Sequence, residues 1–262
     1  ARGIYIQSRM PVYSYKVTVE ASLGKKWDLY FSPNTKSLIA KIPLFFETST
    51  PSMGTDLQGV TRSFNSYFQD DEYLLYDLAF PQGAYTAVVN YNQGDSYPYI
   101  VSRNADSGWD PAAVSAIYNS KETYNYFLNT HSRNSFDGNG TKLVNIVNAL
   151  DEGGPLFNAY WNGHQMVYGV GADGSKNMAI ALDVAGHEFS HGVGQFTANL
   201  AYQNQSGALN ESFADFFGAM IDREDWYMGE DLESPYGSYD YLRDMMNPST
   251  TGQPGHMDNF MN

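Results

Sequence analysis

The sequence predicts an α+β fold in which β-rich segments come first and helices follow. Three observations support this: strand-type alternation in the first 46 residues, a Tyr-rich and turn-rich pattern from residue 55 to about 100, and helical periodicity in the second half. With 262 residues, 42% of them hydrophobic, the chain can bury a sizeable core and form two domains.

The first 50 residues are interpreted as a small antiparallel β domain. Residues 12–20, 26–31 and 37–46 are rich in β-branched and aromatic side chains, and turn-forming residues separate them. Residues 48–54 contain Ser, Thr, Pro and Gly, a composition typical of a linker. We therefore expect a domain boundary there.

The charge distribution changes at the same place. Residues 1–50 carry seven Lys/Arg and three Asp/Glu, whereas the remainder carries eight and 26, and the whole chain has a net charge of −14. An acidic chain repels phosphate backbones, so a nucleic-acid partner is not expected. The basic segment could dock on the acidic remainder. Uneven surface charge without consequence stays open as an equal alternative.

The compartment is inferred from composition. No apolar run is long enough to cross a bilayer, so no membrane partner is expected, and the chain contains no cysteine. The sequence begins Ala1-Arg2-Gly3 without a signal peptide, which fits a cytoplasmic protein or a missing leader. The 21 Tyr and few Lys favour a secreted protein.

The second half of the chain carries the predicted helices. Pro111 suits the first turn of a helix at 110–129, in which apolar residues recur on one face. After Asp225 the sequence is rich in loop-forming residues. The other predicted elements are a Gly/Asn-rich loop at 134–141, a strand at 142–147, an edge-type strand with a turn at 158–170, and helices at 183–199 and 208–223.

One predicted helix contains a metal-binding pattern, the segment His187-Glu188-Phe189-Ser190-His191. Residues i and i+4 lie one turn apart on the same helical face, so both imidazoles can reach one zinc ion. Glu188 lies beside such an ion and can accept a proton from a water molecule. The alternative is a pair of helix histidines that other side chains satisfy.

A catalytic zinc site needs a third protein ligand, and the next helix offers one. Glu211 and Asp215 lie on one helical face, with Glu211 as the third ligand and Asp215 as a partner for the other ring nitrogen of a ligand histidine. The alternative for Glu211 is a solvated helix carboxylate. Its apolar neighbours Leu209, Phe213 and Phe216 argue against that.

These motifs together resemble the thermolysin family of neutral metallopeptidases. The resemblance rests on residues 183–193 around the histidines and residues 207–218 around Glu211, which follows His191 by 20 residues as that family's third ligand does. Residues 158–168 resemble the family's substrate-binding edge strand. The similarity extends from about residue 55 to residue 258.

The resemblance implies a secreted, zinc-dependent endopeptidase that cleaves extended peptides on the N-terminal side of bulky hydrophobic residues. Glu188 would take a proton from the attacking water and pass it to the leaving amine. Tyr202 matches a tyrosine that donates to the oxyanion, and Arg243 matches an arginine near the substrate carbonyl.

Substrate contacts follow from the same resemblance. Asn158 and the backbone of Ala159 and Trp161 would hold an extended peptide by strand addition. An apolar pocket after the scissile bond would have three lining residues, for which plain core packing is an equal alternative. These are Met178, Val184 and Leu242.

Calcium is the second metal that the resemblance implies. Four acidic residues match family calcium ligands, and hard oxygen ligands suit that ion. Tyr227 stands where some members have another carboxylate, so one calcium ion is expected rather than two. A solvated acidic loop is the alternative. The four residues are Asp183, Asp222, Asp225 and Glu230.

The resemblance also gives a division of the chain. Residues 1–50 would be the end of an inhibitory or chaperone propeptide acting in cis, 51–182 a β-rich peptidase subdomain, and 183–262 the zinc-binding helices with the start of a helical C-terminal subdomain. His256 does not match the family's second catalytic histidine, so that donor and most of the helical lobe are expected to be absent.

This departure leaves three hypotheses open. The first is a monomeric endopeptidase precursor represented by a truncated sequence, with weak or no activity in this chain. The second is a truncated or inactive zinc- and calcium-binding relative without turnover. The third, a structural β-rich secreted protein, treats the ligand pattern of His187, His191 and Glu211 as coincidence.

Overall fold

The structure, a computed structural model, divides the chain into two compact units, residues 1–50 and 51–262. Each unit is described separately below. The residues that the structure describes are 2–7, 10–20, 26–43, 49–69, 71–77, 86–91, 99–171, 176–232 and 240–259.

The first unit is a four-stranded antiparallel sheet with its strands in sequence order. The predicted antiparallel segment is therefore confirmed. The sequence reading missed the first strand, although Ile4 and Ile6 alternate there, and residues 44–46 of the third predicted strand lie outside the described residues. The strands are β1 (Arg2–Gln7), β2 (Met10–Glu20), β3 (Lys26–Phe31) and β4 (Leu38–Pro43).

The prediction of a linker at residues 48–54 is wrong for most of its length. Residues of this segment form β5 (Ser49–Thr55), which is the outermost strand of a four-stranded sheet. Pro51 removes one backbone donor, and an edge strand tolerates that loss because one of its sides faces no partner strand. The Ser and Thr residues of this segment favour a loop in the sequence, but they are also compatible with a strand.

The second unit has two main sheets. The first has the order β10-β7-β6-β5, and the second has the order β13-β14-β11-β9-β8, with β12 paired to β11. In the second sheet β9, β11 and β14 run parallel, whereas β13 is an antiparallel edge strand. The strands are β6 (Thr61–Gln69), β7 (Glu72–Leu74), β8 (Tyr76–Asp77), β9 (Thr86–Asn90), β10 (Val101–Ser102), β11 (Leu143–Asp151), β12 (Gly154–Pro155), β13 (Ala159–Trp161), β14 (Met166–Gly169), β15 (Tyr227–Met228) and β16 (Arg243–Asp244).

Three α-helices and several 3-10 turns complete the described part of this unit, which confirms the α+β class. Among the described residues no helix is long and apolar enough to span a membrane. The helices are α1 (Pro111–His131), α2 (Leu182–Gln195) and α3 (Asn204–Ile221). The 3-10 turns are Met178–Ile180, Glu230–Leu232, Pro248–Thr251 and Met257–Asn259.

Helix α1 forms the centre of the core. Asp110 caps it, since its carboxylate accepts the Ala112 N–H at 2.8 Å, and Pro111 fills the first turn as predicted. Its apolar face packs on α2, where the rings of Phe127 and Phe189 stack at 5.1 Å. Packing against α1 therefore fixes the position of α2.

Helices α2 and α3 approach each other closely because small residues face the contact. A Cβ atom on Gly186 of α2 would lie 3.2 Å from the Cα of Gly218 on α3, and a Cβ on Gly218 would lie 2.7 Å from the Asp183 carbonyl oxygen. This close approach brings the polar faces of the two helices together. Helix α2 ends at Gln195, earlier than predicted, where the Asn199 N–H bonds to the Gly194 carbonyl.

Candidate active site

Three predicted ligand side chains converge between α2 and α3. The Nε2 atoms of His187 and His191 lie 3.0 Å apart, one helical turn from each other on α2. The carboxylate of Glu211 on α3 lies 3.3 Å from His187 Nε2 through Oε2 and 3.5 Å from His191 Nε2 through Oε1. The two ring nitrogens and the carboxylate therefore face one small space.

The opposite ring nitrogens are fixed by hydrogen bonds. His187 Nδ1 donates to Asp215 Oδ1 at 2.8 Å, and His191 Nδ1 donates to Asn210 Oδ1 at 2.8 Å. With both protons on Nδ1, two Nε2 lone pairs point at each other, which is unfavourable unless a proton or a metal ion lies between them. The arrangement therefore favours a cation.

The spacing of these atoms fits zinc. Ligands at about 2.0–2.1 Å around a tetrahedral zinc ion lie about 3.3 Å apart. The observed separations of 3.0, 3.3 and 3.5 Å surround that value. Two imidazole nitrogens and one carboxylate are also a donor set that zinc accepts in catalytic sites, with the fourth position left open.

The electrostatics point the same way. Burial opposes a charge on His187, but hydrogen bonds to Asp215 and Glu211 outweigh it and raise its pKa to about 9. Burial also opposes the charge on Glu211, yet hydrogen bonds from His187 and Tyr202 lower its pKa to about 2. The anionic surroundings thus stabilise positive charge at the centre of the site.

Glu188 lies beside these atoms, with one carboxylate oxygen within 4.8 Å of a ring nitrogen of each histidine. Its side chain is 5% exposed and accepts the backbone N–H of Trp161 at 2.8 Å. Burial raises its pKa, and the nearby His187 and His191 act in the opposite direction. A carboxylate with a raised pKa in a cleft is a suitable general base.

Tyr202 reaches the same space from the loop between the helices. Its side chain is 71% exposed, and its hydroxyl donates to Glu211 Oε1. That hydrogen bond raises the Tyr202 pKa to about 12, so the hydroxyl keeps its proton at neutral pH. It can therefore act as a donor.

These groups line a cleft of about 620 Å³. Edge strand β13 forms one side, with Asn158 and Ala159 at the wall. The amide of Trp161 is already bonded to Glu188, so it orients that carboxylate and is not free for a substrate in this arrangement. The three predicted pocket residues also line the cleft: Met178, Val184 and Leu242.

Arg243 and Asp215 form a bidentate pair. Arg243 Nε lies 2.9 Å from Asp215 Oδ2, and its terminal nitrogen lies 2.6 Å from Oδ1. Asp215 thus bonds to both His187 and Arg243, as its predicted supporting position required, while Arg243 still lines the cleft.

Sequence reasoning missed two residues that support the site. Asn210 orients His191, and Gln195 accepts the indole N–H of Trp161 at 2.8 Å while its own amide donates to the Gly163 carbonyl at 3.3 Å. The spacing of Asn210 one residue before Glu211 was visible, but an amide has no distinctive pattern in a helix.

The apolar neighbours of Glu211 in the sequence do not shield its carboxylate from solvent, contrary to the prediction. Leu209, Phe213 and Phe216 are 45%, 49% and 45% exposed, so they do not bury the carboxylate. These residues lie on the outer face of α3, whereas Glu211 turns inward to His187. The position of Glu211 follows from its polar partners and not from apolar neighbours.

Two of the four predicted calcium residues, Asp222 and Glu230, form a second acidic cluster together with Asp231, and Asp183 lies close enough to interact with it. One carboxylate oxygen each of Asp222, Glu230 and Asp231 lie within 4.8 Å of one another. Asp231 was missed by the sequence reading. Asp225 instead accepts the Tyr227 N–H at 2.7 Å, and the described residues include it in no three-residue group.

This cluster is short of positive charge. Burial and the neighbouring carboxylates raise the pKa of Asp183 to about 7 and that of Glu230 to about 8. Glu230 Oε2 is buried, and no described residue bonds to it. Acidic oxygens with these properties fit a hard cation such as calcium.

Comparisons with known proteins agree with this geometry. A model described as "Thermolysin metallopeptidase, catalytic domain" matches residues 51–195, and one described as "Thermolysin metallopeptidase, alpha-helical domain" matches residues 198–262. The extracellular elastase of Staphylococcus epidermidis is 38% identical over 95% of this chain and 50% of its own length. The neutral protease NprE of Bacillus pumilus is 41% identical over 80% of this chain and 70% of its own length.

A solved structure is similar as well. The precursor of protealysin, a metalloproteinase from Serratia proteamaculans, has a TM-score of 0.56 and 31% identity, covering 67% of this chain and 60% of that one. The chain spans about half the length of the extracellular elastase that it matches. Because the catalytic-domain model covers residues 51–195 and includes His187, Glu188 and His191, the chain belongs to the thermolysin family of metallopeptidases.

Proposed function

We propose that this protein is a zinc-dependent endopeptidase. The observation that carries the proposal is the convergence of His187 Nε2, His191 Nε2 and Glu211 within 3.0–3.5 Å of one another. Zinc held there would act as a Lewis acid on the scissile carbonyl and would lower the pKa of a water molecule.

The chain's own residues would move the protons. Glu188, held by the Trp161 amide at 2.8 Å, accepts the proton of the attacking water and delivers it to the leaving amine. The Tyr202 hydroxyl, protonated at neutral pH, donates to the oxygen that becomes negative. Arg243 lies in the cleft wall near the same position while paired with Asp215.

Edge strand β13 would bind the substrate. In the described part of the chain its outer side pairs with no strand, so Asn158 and Ala159 can bond to an extended peptide as an added strand. Met178 and Val184 supply apolar surface together with Leu242, which favours a bulky hydrophobic side chain after the scissile bond.

Further parts of the proposal concern regulation and stability. Calcium bound by the acidic cluster would hold residues 222–231, with Asp183 and Asp231 contributing. Residues 1–50, a separate unit with more basic than acidic residues, would act as a propeptide in cis. Secretion is supported by relatives such as the extracellular elastase.

A matched pair of variants tests the proposed reaction. Peptides with Leu, Phe or Ala after a scissile bond are incubated with the zinc-loaded chain and with Glu188→Gln. Removing the base should lower the rate by about 10²–10⁴-fold and leave zinc content unchanged. Cleavage at an undiminished rate by Glu188→Gln would exclude Glu188 as the base.

The same assay separates the non-catalytic alternative. A chain that binds one zinc ion, yet cleaves none of the peptides, would show metal binding without turnover in this chain. Cleavage that a chelator stops and zinc restores supports the peptidase.

A further inference from the structure

Asn148 has an unusual backbone conformation in the middle of the second sheet. The register of β11 against β14 shifts between Ile146 and Ala149, and Asn148 adopts φ = 60° at that irregularity. Asparagine is one of the few non-glycine residues that visit the left-handed region, and inside a sheet such a conformation persists only where surrounding contacts hold it.

Its side-chain amide provides those contacts. Nδ2 donates to Asn90 Oδ1 at 3.0 Å and to Asp110 Oδ2 at 2.8 Å, so both amide protons are used. Oδ1 accepts from Asn177 Nδ2 at 3.0 Å. One side chain therefore connects the end of β9, the start of α1 and the segment that follows β14.

The partners of Asn148 are themselves fixed. Asp110 caps α1 through its other oxygen, which accepts the Ala112 N–H at 2.8 Å. Asn177 caps the 3-10 turn Met178–Ile180, since its Oδ1 accepts the Ala179 N–H at 3.0 Å. The amide thus links a rigid helix start to a short turn.

That turn carries part of the cleft. Met178 is 3% exposed and lines the cleft, and the turn leads directly into α2. A second amide, Asn119 of α1, donates to the Ala179 carbonyl at 3.0 Å from the other side. The turn is therefore held by two side-chain amides, Asn119 and Asn177, and Asn177 is itself held by Asn148 of the sheet.

We propose that Asn148 is a positioning residue that sets the place of Met178 in the apolar pocket and so determines how well that pocket distinguishes large from small side chains. The inference rests on the proposed function. Displacements of about 1 Å alter the energetics of an active site substantially. Asn148 contacts no substrate and acts only through Asn177 and the turn.

Glycine at this position separates strain from hydrogen bonding. Asn148→Gly retains the positive φ without steric cost and deletes all three hydrogen bonds. Asn177→Ser removes the hydrogen bond that Asn177 donates to Asn148 Oδ1, because the serine side chain is too short to reach that oxygen. The serine hydroxyl can still accept the Ala179 N–H and cap the turn. Asn204→Gly, another asparagine at positive φ (51°), serves as the matched control.

Two measurements on the zinc-loaded full chain need no turnover. Calorimetry compares the binding of Leu-Ala amide and Ala-Ala amide, and hydrogen exchange reports on the amides of Ala179 and Ile180. In Asn148→Gly and Asn177→Ser the preference for the leucine peptide should fall by about tenfold or more, within the range of about 10–200-fold that one pocket methylene controls. Exchange in the turn should accelerate by about tenfold, and zinc content should stay the same.

The double variant should lose no more than either single variant, since both break one link. An unchanged peptide preference in Asn148→Gly, or unchanged exchange in the turn, would overturn the inference, as would a loss of equal size in Asn204→Gly. A wild-type chain without preference for the leucine peptide would also overturn it. The failure of the proposed reaction is seen separately, in the Glu188→Gln assay.

Discussion

Asp215 has two roles in the site that a single side chain seldom combines. It fixes the tautomer of His187 by accepting from Nδ1 at 2.8 Å, and it neutralises Arg243 through two hydrogen bonds of 2.9 and 2.6 Å. Burial opposes its charge, but these partners outweigh burial and keep its pKa below the usual value. The carboxylate therefore supports the proposed zinc site through His187.

Replacing Asp215 should weaken zinc binding. Asp215→Ala frees the His187 ring and leaves Arg243 without its partner, so zinc affinity should fall by about 10–100-fold. Competition with a chromophoric chelator measures this. Asp215→Asn keeps an acceptor for His187 and should retain more affinity than the alanine variant; equal losses in the two variants would contradict the orienting role.

At the scale of single residues, the sequence predicted the groups that belong to a pattern. The i, i+4 spacing identified His187 and His191, the next helix offered Glu211 as a third ligand, and the resemblance supported that choice. Asn210 and Gln195 escaped because their roles depend on partners 19 and 34 residues away in the chain, which no local pattern records.

At the scale of elements, the site depends on how closely α2 and α3 pack. Gly186 and Gly218 allow backbone contact between the helices, and this places Glu211 opposite the histidines. The helices were predictable from their periodicity. Their separation was not, because a helical glycine is compatible with many packing partners.

A substitution at this contact should disturb the whole site. A Cβ on Gly218 would lie 2.7 Å from the backbone oxygen of Asp183, which cannot move aside easily, so Gly218→Ala should destabilise the fold by about 1–3 kcal/mol and reduce zinc affinity. Urea unfolding and zinc titration measure both effects.

Gly194 offers the matched control. A Cβ there would meet only Asn210 Oδ1, at 3.9 Å, so Gly194→Ala should be neutral or stabilising by up to about 1 kcal/mol because alanine favours the helix. Equal behaviour of the two alanine variants would show that close helix contact does not determine the site.

The sequence predicted some strands of the fold and missed others. Alternation identified β2 and β3, and the hairpin of β13 and β14 was expected as an edge strand with a turn. β5 was missed because its Ser, Thr and Pro residues are compatible with a loop, and only pairing within the sheet makes them a strand.

At the scale of the whole molecule, the acidic cluster lies in the segment between the end of α3 and the cleft wall. Carboxylates of Asp222, Glu230 and Asp231 approach one another, and Gln58 of the same unit, in the turn between β5 and β6, donates to Asp231 at 2.9 Å. A divalent cation there would offset the repulsion and connect these parts of the unit.

Calcium removal should therefore lower stability. A chelator selective for calcium over zinc should reduce the melting temperature by several degrees, and added calcium should restore it, since a ligand bound only by the folded state stabilises it. Glu230→Gln should reduce the calcium effect. A melting temperature that is insensitive to calcium in the wild type would contradict a structural calcium site.

The zinc content of the purified full chain tests the central claim most directly. Elemental analysis of the wild type, Glu188→Gln and Glu211→Ala is expected to give one tightly held zinc ion per chain in the first two and a loss of zinc in the third, because Glu211 faces both histidine Nε2 atoms, whereas the Glu188 carboxylate accepts the Trp161 N–H. No zinc in the wild type, or full retention in Glu211→Ala, would contradict the account.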